Sequence, residues 1–324
     1  MESTSHKFVQ KLTSSGWEEY FKLRERLCNE DNVTFHFVTI SDFIENTISS
    51  SKKQGFFEYV IINEKEHIGR LVVNKKAQSN LYFTFHILKK FRNNSKHINY
   101  ILKIISKKME ILNQKKIRTN TRIKSHSETY LLKGSKLFEV TNFFVLHIDR
   151  NLWITKDLPL KLNKIFRLEY CDFVPEKYID KFVQLWNELK QDIPRMDYSK
   201  IEKHSINSFA NVQIVDKQHH LIYKTILVFE KDTLVGLSYI FYNLNKPEFV
   251  YQKLTGIRKK YRRLGLGEKL KELMIGYIIE ENHNVKEIKT ASFSLNKPMI
   301  QLNYKLGFKK DYSIWHHEIS FESL

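Results

Sequence analysis

Two arginines and two glycines stand close together in the stretch KKYRRLGLGEKL. Arg262 and Arg263 precede Gly265 and Gly267, and an amphipathic pattern begins directly afterwards. A helix starts with several backbone N–H groups that lack intrahelical partners, and the helix dipole adds positive potential there. Glycine has no Cβ, so an anion can approach its backbone closely. This combination of residues is suited to binding a phosphate group.

The elements around this turn are predicted from sequence periodicity. Residues 249–257 have the pattern of a strand, and apolar residues with helical spacing follow the glycines. The apolar positions are Leu270, Leu273, Met274, Tyr277 and Ile278. Their spacing is typical of a helix with one buried stripe. The sequence therefore predicts a strand, a basic glycine turn and a helix in that order.

Two common nucleotide-binding patterns do not fit the turn. A P-loop requires Lys and then Ser or Thr after its last glycine, whereas Glu268 follows Gly267. A dinucleotide-binding turn requires a third glycine, and Leu270 occupies that position. A glycine turn that only allows a helix to pack is the simpler alternative. The two arginines and the strand–turn–helix context favour a phosphate site over that alternative.

The pattern Arg262-x-x-Gly265-x-Gly267 resembles the R/Q-x-x-G-x-G/A motif of the GCN5-related N-acetyltransferases, the GNAT superfamily. The later stretch TASFSLNKPMIQLNYKLGF, residues 290–308, is similar to that family's strand, Asn-headed helix and Leu-Gly-Phe ending. The resemblance covers residues 220–320 well and 166–220 loosely. It implies a mixed α/β fold and a loop that binds the pyrophosphate of acetyl-CoA.

The resemblance also implies which residues meet the cofactor. Main-chain groups of Leu254, Thr255, Gly256 and Ile257 are expected at the pantetheine arm, on a strand splayed from its neighbour. One N–H group, at Thr255 or Ile257, would polarise the thioester carbonyl. The groups expected at the phosphates are those of Arg262, Arg263, Leu264, Gly265, Leu266, Gly267, Glu268 and Lys269. Asn296 is expected to cap the next helix and to contact the cofactor or the reacting centre.

The candidate catalytic residues follow the pattern less closely. Many relatives place a tyrosine general acid five residues before the final Phe, and Asn303 stands at that position here, next to Tyr304. An asparagine can donate a hydrogen bond but cannot act as an acid near neutral pH. Glu248, near the start of the central strand, is the candidate general base, with a solvated charge as the alternative. The amine could also arrive partly deprotonated and require no base.

The chain contains two copies of one plan. EYVIINEKEHIGRLVV (58–73) and KTILVFEKDTLVGLSYIF (224–241) both read as hairpins. Ile87 to Arg92 and Ile257 to Arg262 both fit the pattern I-x-K-K-aromatic-R, with a helical pattern after each. Ser95 and His97 replace the two glycines in the first copy. We expect a degenerate GNAT-like domain at 1–150 that does not bind cofactor, a linker at 151–165 and a catalytic domain at 166–324.

Composition limits the class of protein. The net charge of +18 favours a polyanionic partner, but lysine is scattered along the chain, so nucleic acid is possible and not favoured. The two cysteines lack motif spacing, and no apolar run is long enough for a membrane span, so a cytoplasmic location is expected. The adjacent pairs His219-His220 and His316-His317 are poor chelates, so no metal site is expected. The oligomeric state stays open.

Together these features predict transfer of an acetyl group from acetyl-CoA to a primary amine of a small molecule by direct attack. One alternative is an acyl or aminoacyl transferase that acts on an RNA-linked or antibiotic acceptor. The other is a protein of this fold that senses CoA or binds nucleic acid without catalysis.

Overall fold

The computed structural model describes residues 4–30, 39–52, 55–75, 81–121, 135–154, 165–195, 203–218 and 220–320. Within the predicted linker at 151–165, residues 155–164 lie outside these ranges, and so does His219. In the described part of the chain, no helix combines the length and apolar character needed to cross a bilayer.

The chain forms two compact units. Unit 1 consists of residues 1–138 together with 314–324, and unit 2 consists of residues 139–313. These limits differ from the boundaries predicted at 150 and 166, because each unit contains a strand from the sequence half assigned to the other.

Unit 1 is a mixed sheet with helices. Its elements are β1 (Thr4–Phe8), α1 (Ser14–Glu30), α2 (Ile40–Ser51), β2 (Phe56–Asn63), β3 (Glu66–Lys75), β4 (Leu81–Ile87), α3 (Ser95–Ile111) and β5 (Lys116–Thr121). The strands are ordered β1-β2-β3-β4-β5, and the end of β12 (Lys309–Ser320) follows β5. The β4–β5 pair is parallel and the other pairs are antiparallel.

Unit 2 repeats this plan. Its elements are β6 (Lys136–His147), α4 (Arg150–Ile154), β7 (Phe166–Cys171), α5 (Glu176–Gln191), α6 (Ile206–Gln218), β8 (Leu221–Glu230), β9 (Thr233–Asn243), β10 (Lys246–Ile257), α7 (Leu266–Glu281), β11 (Glu287–Phe293), α8 (Lys297–Lys305) and the start of β12. The strand order is β6-β11-β10-β9-β8-β7, with β10 and β11 parallel.

The predicted repeat is confirmed at the level of single hydrogen bonds. The Arg92 side chain donates from Nε to the Ile87 carbonyl at 2.7 Å, and the Arg262 side chain donates from Nε to the Ile257 carbonyl at 2.9 Å. Gly69 pairs with Ile87 in unit 1, and Gly236 pairs with Ile257 in unit 2. The same local structure therefore follows the end of β4 in unit 1 and of β10 in unit 2.

The two hairpins also match. Glu64 and Lys231 occupy the same place in their turns, and both have a left-handed backbone, with φ of 54° and 52°. Each hairpin contains one register shift shortly before its turn, at Ile61/Ile62 and at Val228/Phe229. Agreement in such irregular features indicates a common plan rather than chance similarity of lysine-rich segments.

The last strand of each sequence copy pairs with a strand of the other copy. β6 follows β5 in the chain, yet it pairs antiparallel with β11, from Thr141–Phe293 to His147–Glu287. The end of β12 pairs antiparallel with β5, from Trp315–Thr121 to Ser320–Lys116. Sequence periodicity carries no information on which strand edge β6 and β12 join.

Helix α7 is buried more widely than the predicted single stripe. Leu270, Leu273, Met274 and Ile278 are buried as expected, whereas Tyr277 is only partly covered. Buried residues also occupy other positions around the helix, namely Leu266, Lys271, Ile275, Gly276 and Ile279. The helix is therefore enclosed on more than one face, and one of the enclosed residues is a lysine.

We predict that β6 is required for a stable unit 2. A fragment of residues 166–324 lacks β6 and thus leaves the edge of β11 without its partner. It also lacks Phe144 and Leu146, which belong to the core of unit 2. A fragment of residues 135–324 restores both and is the matched comparison. We expect the shorter fragment to aggregate or to melt at least about 10 °C lower in thermal unfolding. Equal melting temperatures would contradict this assignment of β6.

Candidate active site

Strands β10 and β11 separate towards their carboxyl ends. Their parallel pairing runs from Phe249–Glu287 to Gln252–Thr290. β10 then continues to Ile257, still paired with β9, while β11 continues to Phe293, paired with β6. A register shift in the β9–β10 ladder falls between Gln252 and Leu254, where the separation starts. The predicted splay of this strand is therefore present in the fold.

The direction of the backbone groups follows from one hydrogen bond. The Arg258 N–H donates to the Val235 carbonyl at 2.8 Å, towards β9. N–H groups alternate in direction along a strand, so those of Thr255 and Ile257 point to the opposite edge, into the gap beside β11. The Ile257 carbonyl on that edge accepts the bond from Arg262 Nε. The gap is thus lined by main-chain donors and acceptors that a ligand can use.

The amino end of α7 faces open space. Gly265 is the N-cap residue, with φ of 72° and no side-chain cap. The first helical hydrogen bond joins the Lys269 N–H to the Gly265 carbonyl at 3.1 Å, so the N–H groups of Leu266, Gly267 and Glu268 precede it. A Cβ at Gly265 would meet no atom within 4 Å. This end of the helix fits an anion, because its donors and its positive potential are accessible.

The two arginines of the motif have different positions. Arg263 has a left-handed backbone, with φ of 66°, and its side chain is exposed. Arg262 holds the loop in place through the Ile257 carbonyl and through an ion pair with Asp192, just after α5. Both line the cavity. Asp192 is a carboxylate at the phosphate end, and an incoming anion would compete with it for Arg262.

One cavity of about 590 Å³ joins the helix end to the strand gap. Most of the predicted cofactor residues line it: Leu254, Thr255, Gly256, Ile257, Arg262, Arg263, Gly265, Leu266, Gly267, Glu268 and Asn296. Leu264 does not line it and is 64% exposed. Lys269 does not line it either, and its side chain pairs with Glu272 at 3.6 Å. The cavity therefore gathers sequence-distant residues of β10, the glycine turn and the start of α8.

Asn296 differs from its predicted role as a helix cap. It occupies the N-cap position of α8, and Pro298 lies in the first turn, but the Asn296 side chain makes no capping hydrogen bond. Its backbone angles, φ −80° and ψ 59°, are not the extended values of a normal N-cap. The residue lines the cavity instead.

Glu248, the candidate base, lies away from the cavity. It is near the amino end of β10, about 20 Å along the strand from Leu254. It lines a different depression, together with Asp149, Arg150 and His283. A strand of this length places its two ends at opposite edges of the sheet, so Glu248 does not reach the gap.

Asn303 and Tyr304 have contrasting environments. Asn303 is fully buried, and its Oδ1 accepts a hydrogen bond from Lys271 Nζ. Tyr304 is 52% exposed, packs edge-on against Phe144 and does not line the cavity. The two neighbours therefore lie on different sides of α8. Asn303 faces inwards and Tyr304 faces outwards.

Lys271 is the residue that sequence reasoning missed. It is 1% exposed and lines the cavity. Its Nζ contacts Asn303 Oδ1, lies 3.9 Å from Met299 Sδ and lies 4.7 Å from the centre of the Phe308 ring. Burial lowers the pKa of Lys271 from its ordinary value of 10.5 to about 7. The only sequence signal is a lysine between two apolar positions of the helix.

The floor of the cavity carries a buried polar cluster. Thr255 Oγ1 lies 2.8 Å from Ser238 Oγ and accepts a bond from Gln252 Nε2 at 2.9 Å. Gln252 Oε1 is buried and has no hydrogen-bond partner among the described residues. Gln252 and Thr255 both line the cavity. A buried acceptor without a partner fits a ligand that donates hydrogen bonds.

The first copy closes the equivalent helix end. Asn94 is the N-cap of α3, and its side chain accepts a hydrogen bond from the Lys96 N–H at 3.0 Å. His97, at the place of Gly267, is buried and lies 2.9 Å from Thr4 Oγ1 through its Nδ1. Side chains of the protein thus fill the space that Gly265 and Gly267 leave open in unit 2.

The described residues contain no group of three or more His, Cys, Asp or Glu side chains placed to hold a metal ion. The donor set of the cavity consists instead of backbone amides, hydroxyls, amides and basic side chains. This set suits a phosphorylated, hydrogen-bonding ligand such as CoA.

Solved structures place this architecture among known folds. The chain is similar to a tandem GNAT protein from the clavulanic acid biosynthesis pathway, with 13% identity and a TM-score of 0.77 over 98% of this chain and 99% of that chain. A GCN5-related N-acetyltransferase from Sphaerobacter thermophilus is similar at 11% identity and a TM-score of 0.67, over 98% and 96% of the two chains.

A third similar structure is a glucosamine N-acetyltransferase region of a fungal multi-domain GH3 beta-N-acetylglucosaminidase. It has 7% identity and a TM-score of 0.61, over 98% of this chain and 38% of that chain. No protein-family profile matches the sequence, and no curated protein matches it. The chain has the tandem GNAT fold, and the predicted mixed α/β class is confirmed.

We predict that Lys271→Met changes the pH dependence of stability. Between about pH 7 and 10.5 the unfolded chain binds a proton at Lys271 that the folded chain has released. Stability therefore rises with pH in this window, by up to about 1.4 kcal/mol per pH unit from this group. Below the window the folded protein carries the full cost of a buried ammonium. Replacement by methionine removes that cost, so it should stabilise the protein more near about pH 6 than near about pH 9.

Urea unfolding of both proteins at the two pH values measures this difference. Lys310→Met is the matched control, because it removes an exposed lysine of β12 in the same unit. An unchanged pH dependence in Lys271→Met, equal to that of the control, would contradict the predicted environment of Lys271.

Proposed function

We propose that unit 2 transfers an acetyl group from acetyl-CoA to a primary amine of a small molecule. The observation that carries this proposal is the continuity of one cavity from the open helix end at Gly265 to the unpaired edge of β10. The open helix end at Gly265 to Glu268, here called the cradle, would by itself fit many phosphorylated ligands. A cradle joined to a strand gap fits an elongated ligand with phosphates at one end and amide groups along its arm.

The cradle would hold the pyrophosphate of CoA. The N–H groups of Leu266, Gly267 and Glu268, with Arg263 nearby, supply donors and positive charge. Arg262 would exchange its contact with Asp192 for a phosphate oxygen or share its donors between the two. The similar tandem GNAT protein was solved in a form without AcCoA, a description that relates that protein to the same ligand class.

The edge of β10 would bind the pantetheine arm and the thioester. The N–H groups of Thr255 and Ile257 point into the gap, and either can donate to the thioester carbonyl as negative charge develops on its oxygen. The amine nitrogen then forms a bond to the carbonyl carbon, and the carbon–sulfur bond breaks. No covalent bond to the protein is required in this sequence.

No carboxylate of the described cavity wall is placed as a dedicated base. Its acidic residues are Asp192 and Glu268, and each pairs with a basic side chain, Arg262 and Lys305 respectively. Glu248 is outside the cavity. We therefore propose that the amine binds in its neutral form or loses its proton to water, and that the protein contributes mainly by positioning.

Gln252 is the proposed contact of the acceptor. Its Oε1 is a buried acceptor next to the deep end of the gap, and an amine N–H group is the complementary donor. Glucosamine, the acceptor named for the similar fungal region, has a primary amine on a polar small molecule. Unit 1 would not bind CoA, because Asn94 and His97 fill its equivalent helix end.

We predict that acetyl-CoA binds with one site per chain and that Gly265→Asp weakens binding by about 100-fold or more. The aspartate carboxylate would lie beside the phosphates, where like charges repel strongly. Isothermal titration calorimetry of the full chain gives both the stoichiometry and the affinity. Gly265→Asn is the matched control, because asparagine has the same shape without the charge and tolerates a left-handed backbone. It should bind much better than the aspartate variant.

Ser95→Asp is a second control, since it makes the same change at the equivalent position of unit 1. It should leave acetyl-CoA affinity unchanged. Two sites per chain, or a large loss of affinity in Ser95→Asp, would mean that unit 1 binds the cofactor. Retained affinity in a folded Gly265→Asp protein would refute the cradle.

We also predict that Gln252→Leu raises the KM for the amine about tenfold while the Kd for acetyl-CoA stays unchanged. Leucine keeps the shape of the side chain but removes the hydrogen-bond acceptor, and one such bond corresponds to about this factor. A screen of amines with a thiol-detecting assay supplies the substrate, and steady-state kinetics supply the KM. A rise in the Kd for acetyl-CoA without a change in the KM would place Gln252 at the cofactor instead.

A further inference from the structure

Lys271 has no counter-charge in its immediate surroundings among the described residues. Two acidic residues of α7 are near Lys271 in sequence: Glu268 lines the cavity but pairs with Lys305 Nζ at 2.5 Å, and Glu272 pairs with Lys269 Nζ at 3.6 Å. α8 contributes the neutral Asn303 amide and the Met299 sulfur to the surroundings of Lys271. Phe308, directly before β12, contributes its ring. A protonated Lys271 would therefore be a buried cation held by one amide oxygen.

Such a group is costly for the fold, as the lowered pKa of Lys271 indicates. A methionine or leucine at this position would continue the apolar surface of α7 without that cost. Buried titratable groups with strongly shifted pKa values concentrate at functional sites. Lys271 is thus a candidate for a role in the cavity that it lines.

The position of Lys271 fits the arm of the bound cofactor rather than its phosphates. It lies six residues beyond Gly265, which is about 9 Å along the helix. Its Nζ is close to the cavity wall, because Met299, whose sulfur is 3.9 Å from Nζ, lines the same cavity. An arm that starts at the cradle and runs along β10 passes between α7 and α8, so its distal end approaches this pair of helices.

We propose that the Lys271 ammonium, oriented by Asn303, stabilises the CoA thiolate as it leaves and protonates it. This inference rests on the proposed function. As the carbon–sulfur bond breaks, its electron pair goes to sulfur, and a proton moves from Nζ to sulfur to give CoA thiol and a neutral lysine. The new amide nitrogen loses its proton to water, and Lys271 regains a proton from solvent. The sum is acyl-CoA plus amine to amide plus CoA.

A buried lysine suits this step for a physical reason. An amine whose pKa lies near neutrality is protonated often enough to donate and gives up its proton readily. Asn303 cannot donate a proton, but its Oδ1 fixes the position of Nζ. Arg262, another cation of the cavity wall, already donates to the Ile257 carbonyl and to the Asp192 carboxylate.

The test measures the thiol pKa of bound CoA and requires no amine substrate. CoA isotopically labelled at the methylene carbon attached to sulfur is titrated by NMR in complex with the full-length protein. A cation a few ångströms from a thiol lowers its pKa by about one unit or more. We expect the bound thiol of the wild-type protein to ionise at least about tenfold more readily than that of Lys271→Met. Lys310→Met should match the wild type.

Lys271→Gln separates a charge effect from a structural one. Glutamine can keep a hydrogen bond to Asn303 but carries no charge, and it also replaces the methionine variant if that variant does not fold. If Lys271 is a positioning residue only, the glutamine variant will behave like the wild type, and the proposal is overturned. If the charge acts on sulfur, the glutamine variant will have the higher thiol pKa.

The possible outcomes distinguish this proposal from the proposed function. CoA that binds with the same thiol pKa in the wild-type, methionine and glutamine proteins would overturn the role of Lys271 and leave the acetyltransferase assignment intact. A wild-type protein that does not bind CoA would overturn the proposed function, and the role of Lys271 with it. A lower thiol pKa in the wild type alone supports both.

Discussion

The separation of β10 from β11 is the constraint on which the rest of unit 2 depends. A paired strand has no free edge, and a sheet that stayed paired to Ile257 would contain no cavity. Because the ladder ends at Gln252–Thr290, the four residues from Leu254 to Ile257 keep β9 as their partner and leave their other edge open. Helices α7 and α8 then cover the gap, and the glycine turn closes its outer end. Whether a candidate residue can act in the site depends on its distance from this opening.

Comparison of the two copies shows how little change closes a site. Both copies keep the turn after β4 or β10, the arginine that donates a hydrogen bond to the carbonyl of the last residue of that strand, and the helix that follows. The differences include Asn94, Ser95 and His97 of unit 1, where unit 2 has a leucine and two glycines, and Asn93, where unit 2 has Arg263. The backbone frame is thus a stable scaffold with its own hydrogen bonds, and accessibility of the helix end is a separate property set by a few residues.

The sequence allowed prediction of features that depend on local order. The glycine turn, the helix after it and the strand before it follow from spacing within about twenty residues, and the repeat follows from two similar runs of elements. Glu248 was selected by its place in a strand, and only the length of β10 shows that it is remote. Lys271 was hidden inside an apolar stripe, since a periodic pattern does not reveal which neighbouring helix closes over a position. Asn303 was recognisable by its position, but its partner was not.

The exchange of strands was also beyond the reach of pattern analysis. The partners of β6 and β12 are decided by packing of residues far apart in the chain, which sequence periodicity does not describe. Lys116 and Glu318, which bond across the β5–β12 pair at 2.8 Å, are 202 positions apart. Contacts of this kind have a large entropic cost of loop closure and therefore form late in folding.

This exchange has a consequence for the order in which the protein is made. Most of unit 1 precedes unit 2 in the sequence, yet the strand that completes the sheet of unit 1, the end of β12, follows unit 2. During synthesis the edge of β5 therefore stays uncovered until unit 2 has been made. In unit 2, β6 is synthesised before β11, so the partner strand of β11 is already present when β11 emerges. Unit 2 needs residues up to Ser313, so the two units become complete at almost the same point of synthesis, in contrast to the usual amino-to-carboxyl order of domain folding.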